Sequence, residues 1–192
     1  MLHEPEILVF DTGPLSHLAK QGLLEMLRHV LGPRLAVITD TVAAELRAGV
    51  GQYEYLKLVL DASWIERREL LSEREIMEFA RFSAFLVSGE RNWGEAGVLA
   101  FAKAHDAIAI IDDGPARAAA RRYGVRCQGT LRLLCDAYNE GQLSASVISE
   151  IADDLIAGEY RLPFKPGGFL AWAREHGLLL GGAERERRDR VD

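Results

Sequence analysis

Short apolar runs alternate along this chain with longer stretches whose apolar side chains recur every three or four positions. Residues 6–10, 35–38 and 107–111 are almost uniformly apolar and too short for helices, so they read as buried strands. Residues 64–67 and 125–127 read as shorter strands, the first at a sheet edge. Between the first two runs, Leu15, Leu18, Ala19, Leu23, Leu24, Met26 and Leu27 keep helical spacing, interrupted by Gly22, which predicts two short helices. Thr12-Gly13-Pro14 is a turn, and Pro14 suits a first helical turn. Thr39, Asp40 and Thr41 offer N-caps for a helix through Val42, Ala43, Leu46 and Ala48 that Gly49 and Gly51 end. Helices are further expected over 53–60, from Ser72 with Glu75 at the capping-box position, from Glu95, and over 116–123, 131–138 and 144–157. Residues 88–94 read as a loop.

Strands that alternate with helices predict an α/β fold with helices flanking a mostly parallel sheet. In such sheets ligands bind beyond the carboxyl ends of the strands. After Gly158 the pattern changes: Pro163, Pro166, Gly167 and Gly168 make an irregular stretch, followed by a short amphipathic helix over 169–176. Residues 184–192 are nearly all charged and are expected to fray or be disordered. The expected organisation is one domain over 1–157 and a C-terminal extension over 158–192. Phe164, Phe169 and Trp172 either pack on the same domain or form an apolar arm for a partner or second subunit.

At 192 residues the chain is long enough to bury a substantial core, and 48% hydrophobic with 27% charged residues is the balance of a globular protein. The formal charge of −6 argues against indiscriminate nucleic-acid binding. No apolar run reaches the length of a membrane span. The N-terminus has no signal-like character, so Cys127 and Cys135 are expected to be reduced, packed thiols in a cytoplasmic protein.

The acidic residues change the picture most. Asp11 ends one apolar run and Asp112-Asp113 ends another, while Glu45 and Glu95 lie near the starts of helix-like stretches. A carboxylate beyond a buried strand must be paired, protonated or metal-bound, because burying a bare charge is costly. Convergent hard oxygen ligands suit Mg²⁺ or Mn²⁺ and the phosphoryl chemistry those ions serve. Each acid has a plainer use as well: Asp11 as a helix cap, Glu45 as a solvated helix residue, Glu95 at a helix dipole, and Asp112-Asp113 in a turn.

The stretches VFDTGPLSHLAK, ITDTVAAELRAG, GEAGVLAFAKAHDAIAIIDDGPAR and GVRCQGTLRLLCDA, in this order and spacing, resemble the motifs of a PIN domain, the kind found in VapC-type toxins. The likeness covers roughly residues 6 to 157 and is nearest to a subgroup with adjacent acids at the fourth motif and a C-terminal helical extension. It implies a three-layer α/β/α sandwich and a site of Asp11, Glu45, Glu95 and Asp113. Asp112, one place before the usual final Asp, would share ligand duty or assist from outside. Glu90 competes with Glu95 for the third position. The metal would be Mg²⁺ or Mn²⁺, held by Asp11, Glu95 and Asp113 with Asp112. The partners it implies are an RNA substrate, a small antitoxin protein and a second copy of the chain.

On that reading, Thr12 and Ser16 could hydrogen-bond a carboxylate, water or phosphate. Arg117 and Arg121, one helical turn apart, could contact an RNA backbone; the alternative is a solvated basic face. The leading expectation is a metal-dependent endoribonuclease, the toxin of a toxin–antitoxin pair. A PIN-fold binding protein without nuclease activity is the alternative. A phosphohydrolase with an Asp nucleophile ranks behind both, because Asp11-Thr12-Gly13 is not the Asp-x-Asp start that chemistry uses.

Overall fold

The structure, a computed structural model, describes residues 5–89 and 91–180. In chain order, the described residues form β1 (Ile7–Phe10), α1 (Thr12–Lys20), α2 (Leu24–Leu31), β2 (Leu35–Thr39), α3 (Asp40–Gly49), α4 (Leu56–Asp61) and β3 (Ile65–Arg68). There follow α5 (Glu73–Leu86), α6 (Trp93–His105), β4 (Ile108–Ile110), α7 (Gly114–Tyr123), β5 (Cys127–Gln128), α8 (Thr130–Asn139), α9 (Ala145–Ala157) and α10 (Phe169–Glu175). The chain divides into two compact units, Met1–Thr130 and Leu131–Asp192.

In the first unit, the five strands form one sheet in the order β3-β2-β1-β4-β5, every pair parallel. The expected mostly parallel sheet is therefore wholly parallel, with helices flanking it, and β3 is the edge strand the sequence suggests. Leu8, Val9 and Phe10 of β1 and Ala109 and Ile110 of β4 are completely buried, as strands covered on both faces must be. From β1 the chain adds β2 and β3 on one side, then returns past β1 to add β4 and β5 on the other. The strand order thus reverses between β1 and β4, the place where open α/β sheets leave a crevice. Phe10 pairs with Ile110 across that boundary, so Asp11 and Asp112-Asp113 emerge side by side.

Helix α6 lies against β1, β2 and β4. Its buried residues Ala96, Gly97, Val98, Leu99, Ala100 and Ala102 are mostly small, which permits that close approach. Helix α5 packs along α6 and starts with the capping box the sequence predicts: Ser72 Oγ accepts from the Glu75 amide, while Glu75 accepts from the Ser72 amide.

Several boundaries differ from the pattern-based expectation, the helix expected over 53–60 spanning Leu56–Asp61 for one, and three of them have a clear local reason. Helix α6 starts at Trp93 rather than Glu95, and the amide of Gly94 is taken by a carboxylate from α3. Helix α7 starts at Gly114, because the Asp113 side chain accepts from the Ala116 amide and caps it there. Strand β5 starts at Cys127 rather than at 125. Gly124 takes the left-handed conformation at φ 63° and the Val125 amide returns to Ala120 O, so the helix C-cap consumes the residue that would have opened the strand.

The second unit holds the remainder of α8 with α9 and α10. Asn139 staples it: its side-chain amide donates to Leu178 O and its side-chain oxygen accepts from the Leu180 amide. Phe169 is fully buried, and the rings of Phe164 and Trp172 pack on it at 5.5 and 6.4 Å between centroids. The charged stretch 184–192 lies outside the described residues.

Candidate functional site

Asp11 follows β1 directly, and its amide donates to Ile110 O at 3.1 Å, which ties it to the neighbouring strand. Its side chain is buried, and among the described residues Oδ1 has no hydrogen-bond partner. Burial, then the charge of Glu95, then that of Glu45 push its carboxyl well above the usual range, against a smaller opposing pull from the Thr12 and Gly13 amides. Glu95, in the first turn of α6, is raised too: burial is the largest cause, and the charges of Glu45 and Asp113 add to it.

Glu45 is held rather than free. Its Oε2 accepts from Thr12 Oγ1 at 2.5 Å and its Oε1 accepts from the Gly94 amide at 2.8 Å. Residues 33 and 49 positions away in sequence therefore fix one carboxylate at the start of α6. The fit depends on Gly94, since a Cβ there would run into the Glu45 carboxylate, 2.9 Å from its Cδ. Asp113 is exposed, with Oδ1 at 2.8 Å from the Ala116 amide. At the carboxyl edge of the sheet Asp11, Glu45 and Glu95 thus lie within electrostatic reach of one another, and Asp113 within reach of Glu95.

A PIN-domain family model matches residues 7–165 of the chain. The chain belongs to the PIN-domain family. The match begins at the first strand and crosses from the first compact unit into the second. PIN domains are generally nucleases that use divalent metals. No curated protein matches the chain.

Whether these residues suit such a metal can be judged from their chemistry. All four donors are carboxylates, hard ligands of the kind Mg²⁺ and Mn²⁺ take. The bare Oδ1 of Asp11 and the mutual repulsion of the acids are both relieved by a cation. Among the described residues, however, no three His, Cys, Asp or Glu side chains are gathered tightly enough to hold an ion unaided. The residues therefore fit an ion that keeps several water ligands, as Mg²⁺ does, and not one that needs a closed protein cage.

Asp112 differs from its neighbour in this PIN domain. Its Oδ1 accepts from the Thr130 amide at 2.9 Å and its Oδ2 from Thr130 Oγ1 at 2.7 Å, so both oxygens are engaged. Its charge acts on His17 and Cys127. Arg117 and Arg121, both exposed, have their electrostatic influence on Cys127 as well, and so stand on the β5 side of the crevice. Burial nevertheless pushes the Cys127 thiol up to about 11, so it is not a reactive thiolate. Ser16 is half-buried on α1, one turn after Thr12. Glu90 lies outside the described residues.

Two residues that shape the site escaped the sequence pattern. Gly94 read as the end of a loop, although a glycine directly before an acid that opens a helix is a usable sign of close backbone approach. Thr130 read as part of a Gly-Thr helix start, and nothing local reveals that its side chain and amide both serve Asp112.

Proposed function

We propose that this PIN domain is a Mg²⁺- or Mn²⁺-dependent endoribonuclease whose site comprises Asp11, Glu45, Glu95 and Asp113. The observation that carries the reading is the buried, unpartnered Oδ1 of Asp11, set against further carboxylates at the point where strand order reverses. Buried polar atoms are as a rule paired, so an unpaired carboxylate oxygen beside other acids favours a bound cation.

A bound ion supplies an acidified water and offsets charge on the phosphate oxygens. The protein's own groups divide the remaining work. Asp11 and Asp113 are short and follow strand ends, so they present oxygens at fixed positions. Thr12 and Gly94 hold Glu45 so that its negative charge stays at the cluster. Glu95, with its raised affinity for a proton, is the group suited to accept one from the attacking water. Asp112 orders the turn after β4 through Thr130 and contributes charge from outside the ligand set. Ser16, Arg117 and Arg121 remain candidates for contacts along the RNA backbone.

The likeness of the four motifs to VapC-type toxins supports a finer reading: a cytoplasmic toxin, restrained by a small antitoxin and acting as a homodimer, with the nuclease domain over 1–157 and an extension over 158–192. Among the described residues no helix is long and apolar enough to cross a membrane.

The test is cleavage of single-stranded RNA by purified protein with Mg²⁺, Mn²⁺ or chelator. Metal-dependent cleavage lost in Asp11→Asn and Asp113→Asn is expected. RNA binding with no metal-dependent hydrolysis would instead make the protein a PIN-fold binder. Growth arrest on expression, relieved by the product of an adjacent small reading frame, tests the toxin role.

A further inference from the structure

Beside the acid cluster, a groove of about 330 Å³ runs between α3 and the start of α6, lined by Thr41, Ala44, Glu45, Ala48 and Trp93. That volume is at the lower end of those that take small ligands, about 300–1,000 Å³. Three observations give the groove a definite chemistry. Trp93 remains 41% exposed, so part of its indole is open to a ligand. It is held in place, since its indole N–H donates to Gly89 O at 3.2 Å and its ring packs on Phe79 at 5.8 Å between centroids. The facing wall is Ala44 and Ala48, one turn apart and exposed, whose methyl side chains leave room for a flat group. Glu45 belongs to both the groove and the acid cluster, so the two are continuous.

We propose that this groove receives one nucleobase of the RNA substrate, stacked on Trp93 while the adjoining phosphate reaches the acid cluster. The inference rests on the nuclease reading above and adds its positioning device. A base has a planar face whatever its identity, and aromatic side chains are the usual platform for bases splayed from single-stranded RNA. An acidic protein has little general attraction for a polyanion, so an apolar stacking contact next to the reacting phosphate offsets part of that repulsion. The arrangement selects unpaired RNA, because a base within a duplex cannot present its face to the indole.

The experiment compares wild type, Trp93→Ala, Trp93→Phe and Ala48→Leu, using a fluorescein-labelled 12-nucleotide single-stranded RNA of mixed sequence and its duplex. Cleavage in Mn²⁺ gives kcat and KM. Polarisation in an Asp113→Asn background gives binding without turnover. The Mn²⁺-induced rise in melting temperature checks that the acid site is intact. Expected results are a KM and a Kd raised about 10-fold by Trp93→Ala, a smaller rise for Trp93→Phe, and a rise for Ala48→Leu, which fills the groove. The Mn²⁺ shift should be retained in all three, and the single strand preferred to the duplex. Unchanged KM and Kd in the Trp93 and Ala48 variants of an active enzyme would overturn the inference while leaving the nuclease reading intact, and would assign the groove to a protein partner. If wild type does not cleave, the nuclease reading fails. The stacking site then stands only if RNA binding is still lost in Trp93→Ala, and it falls if RNA does not bind.

Discussion

The amide of Gly94 donates to Glu45 Oε1 at 2.8 Å, and the absence of a side chain on Gly94 is what lets the carboxylate come that close. Gly94→Ala forces the Glu45 carboxylate to move, and because the obstructing atoms are the far end of a flexible side chain, the fold survives the change. The expected outcome is a metal-dependent cleavage rate reduced at least about 10-fold, the value of a misplaced positioning group, with a near-wild-type circular dichroism spectrum. Gly97→Ala is the contrast. A Cβ there meets Thr41 Oγ1 and lies 3.1 Å from Thr39 Oγ1, the buried cap of α3. Overpacking of this kind costs about 1–3 kcal/mol, so Gly97→Ala should lower the denaturation midpoint. Cleavage assays and urea melts on the two variants separate the effects.

Asp11 sets the pH dependence of the metal-free protein. Its folded-state affinity for a proton is raised, so its favourable contribution is full at acid pH, below its unfolded value, and is lost as pH rises through the folded one. Asp11→Asn removes that loss. In chelator, the variant should melt higher than wild type at pH 7.5, with the gap closing toward pH 4. Mn²⁺ at about 100 times its Kd should stabilise wild type by about 2.7 kcal/mol and the variant far less. A melting temperature for Asp11→Asn below wild type at pH 7.5 would count against a strained, metal-seeking Asp11.

Adjacent acids should behave differently. Asp112 satisfies the Thr130 amide and hydroxyl, so Asp112→Ala leaves a buried donor unpaired at a cost of about 1–3 kcal/mol. It should spare the Mn²⁺-induced shift. Asp113→Asn is exposed and should change stability little while abolishing both that shift and cleavage. Thermal melts with and without Mn²⁺ decide between shared ligand duty and divided roles.

Glu75 provides a prediction independent of the site. Burial raises its carboxyl, but hydrogen bonds from Ser72, from His105 at 2.7 Å and from the Ser72 and Leu71 amides outweigh this and bring it down to about 2. A depressed acid stabilises the fold above its unfolded value of 4.5 and stops doing so as pH falls toward 2. The stability difference between wild type and Glu75→Gln should be constant above about pH 5.5 and shrink through that interval. Ser72→Ala, which removes the reciprocal cap, should cost about 1 kcal/mol.

Much of this was legible in the chain itself. Runs such as Ile7–Phe10 and Ile108–Ile110 are too short for helices and read as strands covered on both faces, and helical spacing between them gives an α/β alternation. Asp11 and Asp113 could be placed beyond strand ends for the same reason, because their positions follow from local pattern. Local pattern also carried the Ser72–Glu75 capping box, whose partners are three residues apart.

What the sequence could not determine are relations between distant segments. That Glu45 would be clamped by Thr12 and Gly94, that Asp112 would be engaged by Thr130 while the charge of Asp113 acts on Glu95, and that Trp93 would line one groove with Ala44 and Ala48 all depend on how α3, α6 and the end of β4 meet. Hydrophobic periodicity reports which face of each element is buried, and it assigns an element's type from side chains a few residues apart. Hydrogen bonds spanning 18 to 49 residues arise only when the parallel sheet sets the strand ends in register, so the direction of each carboxylate is decided by the tertiary structure.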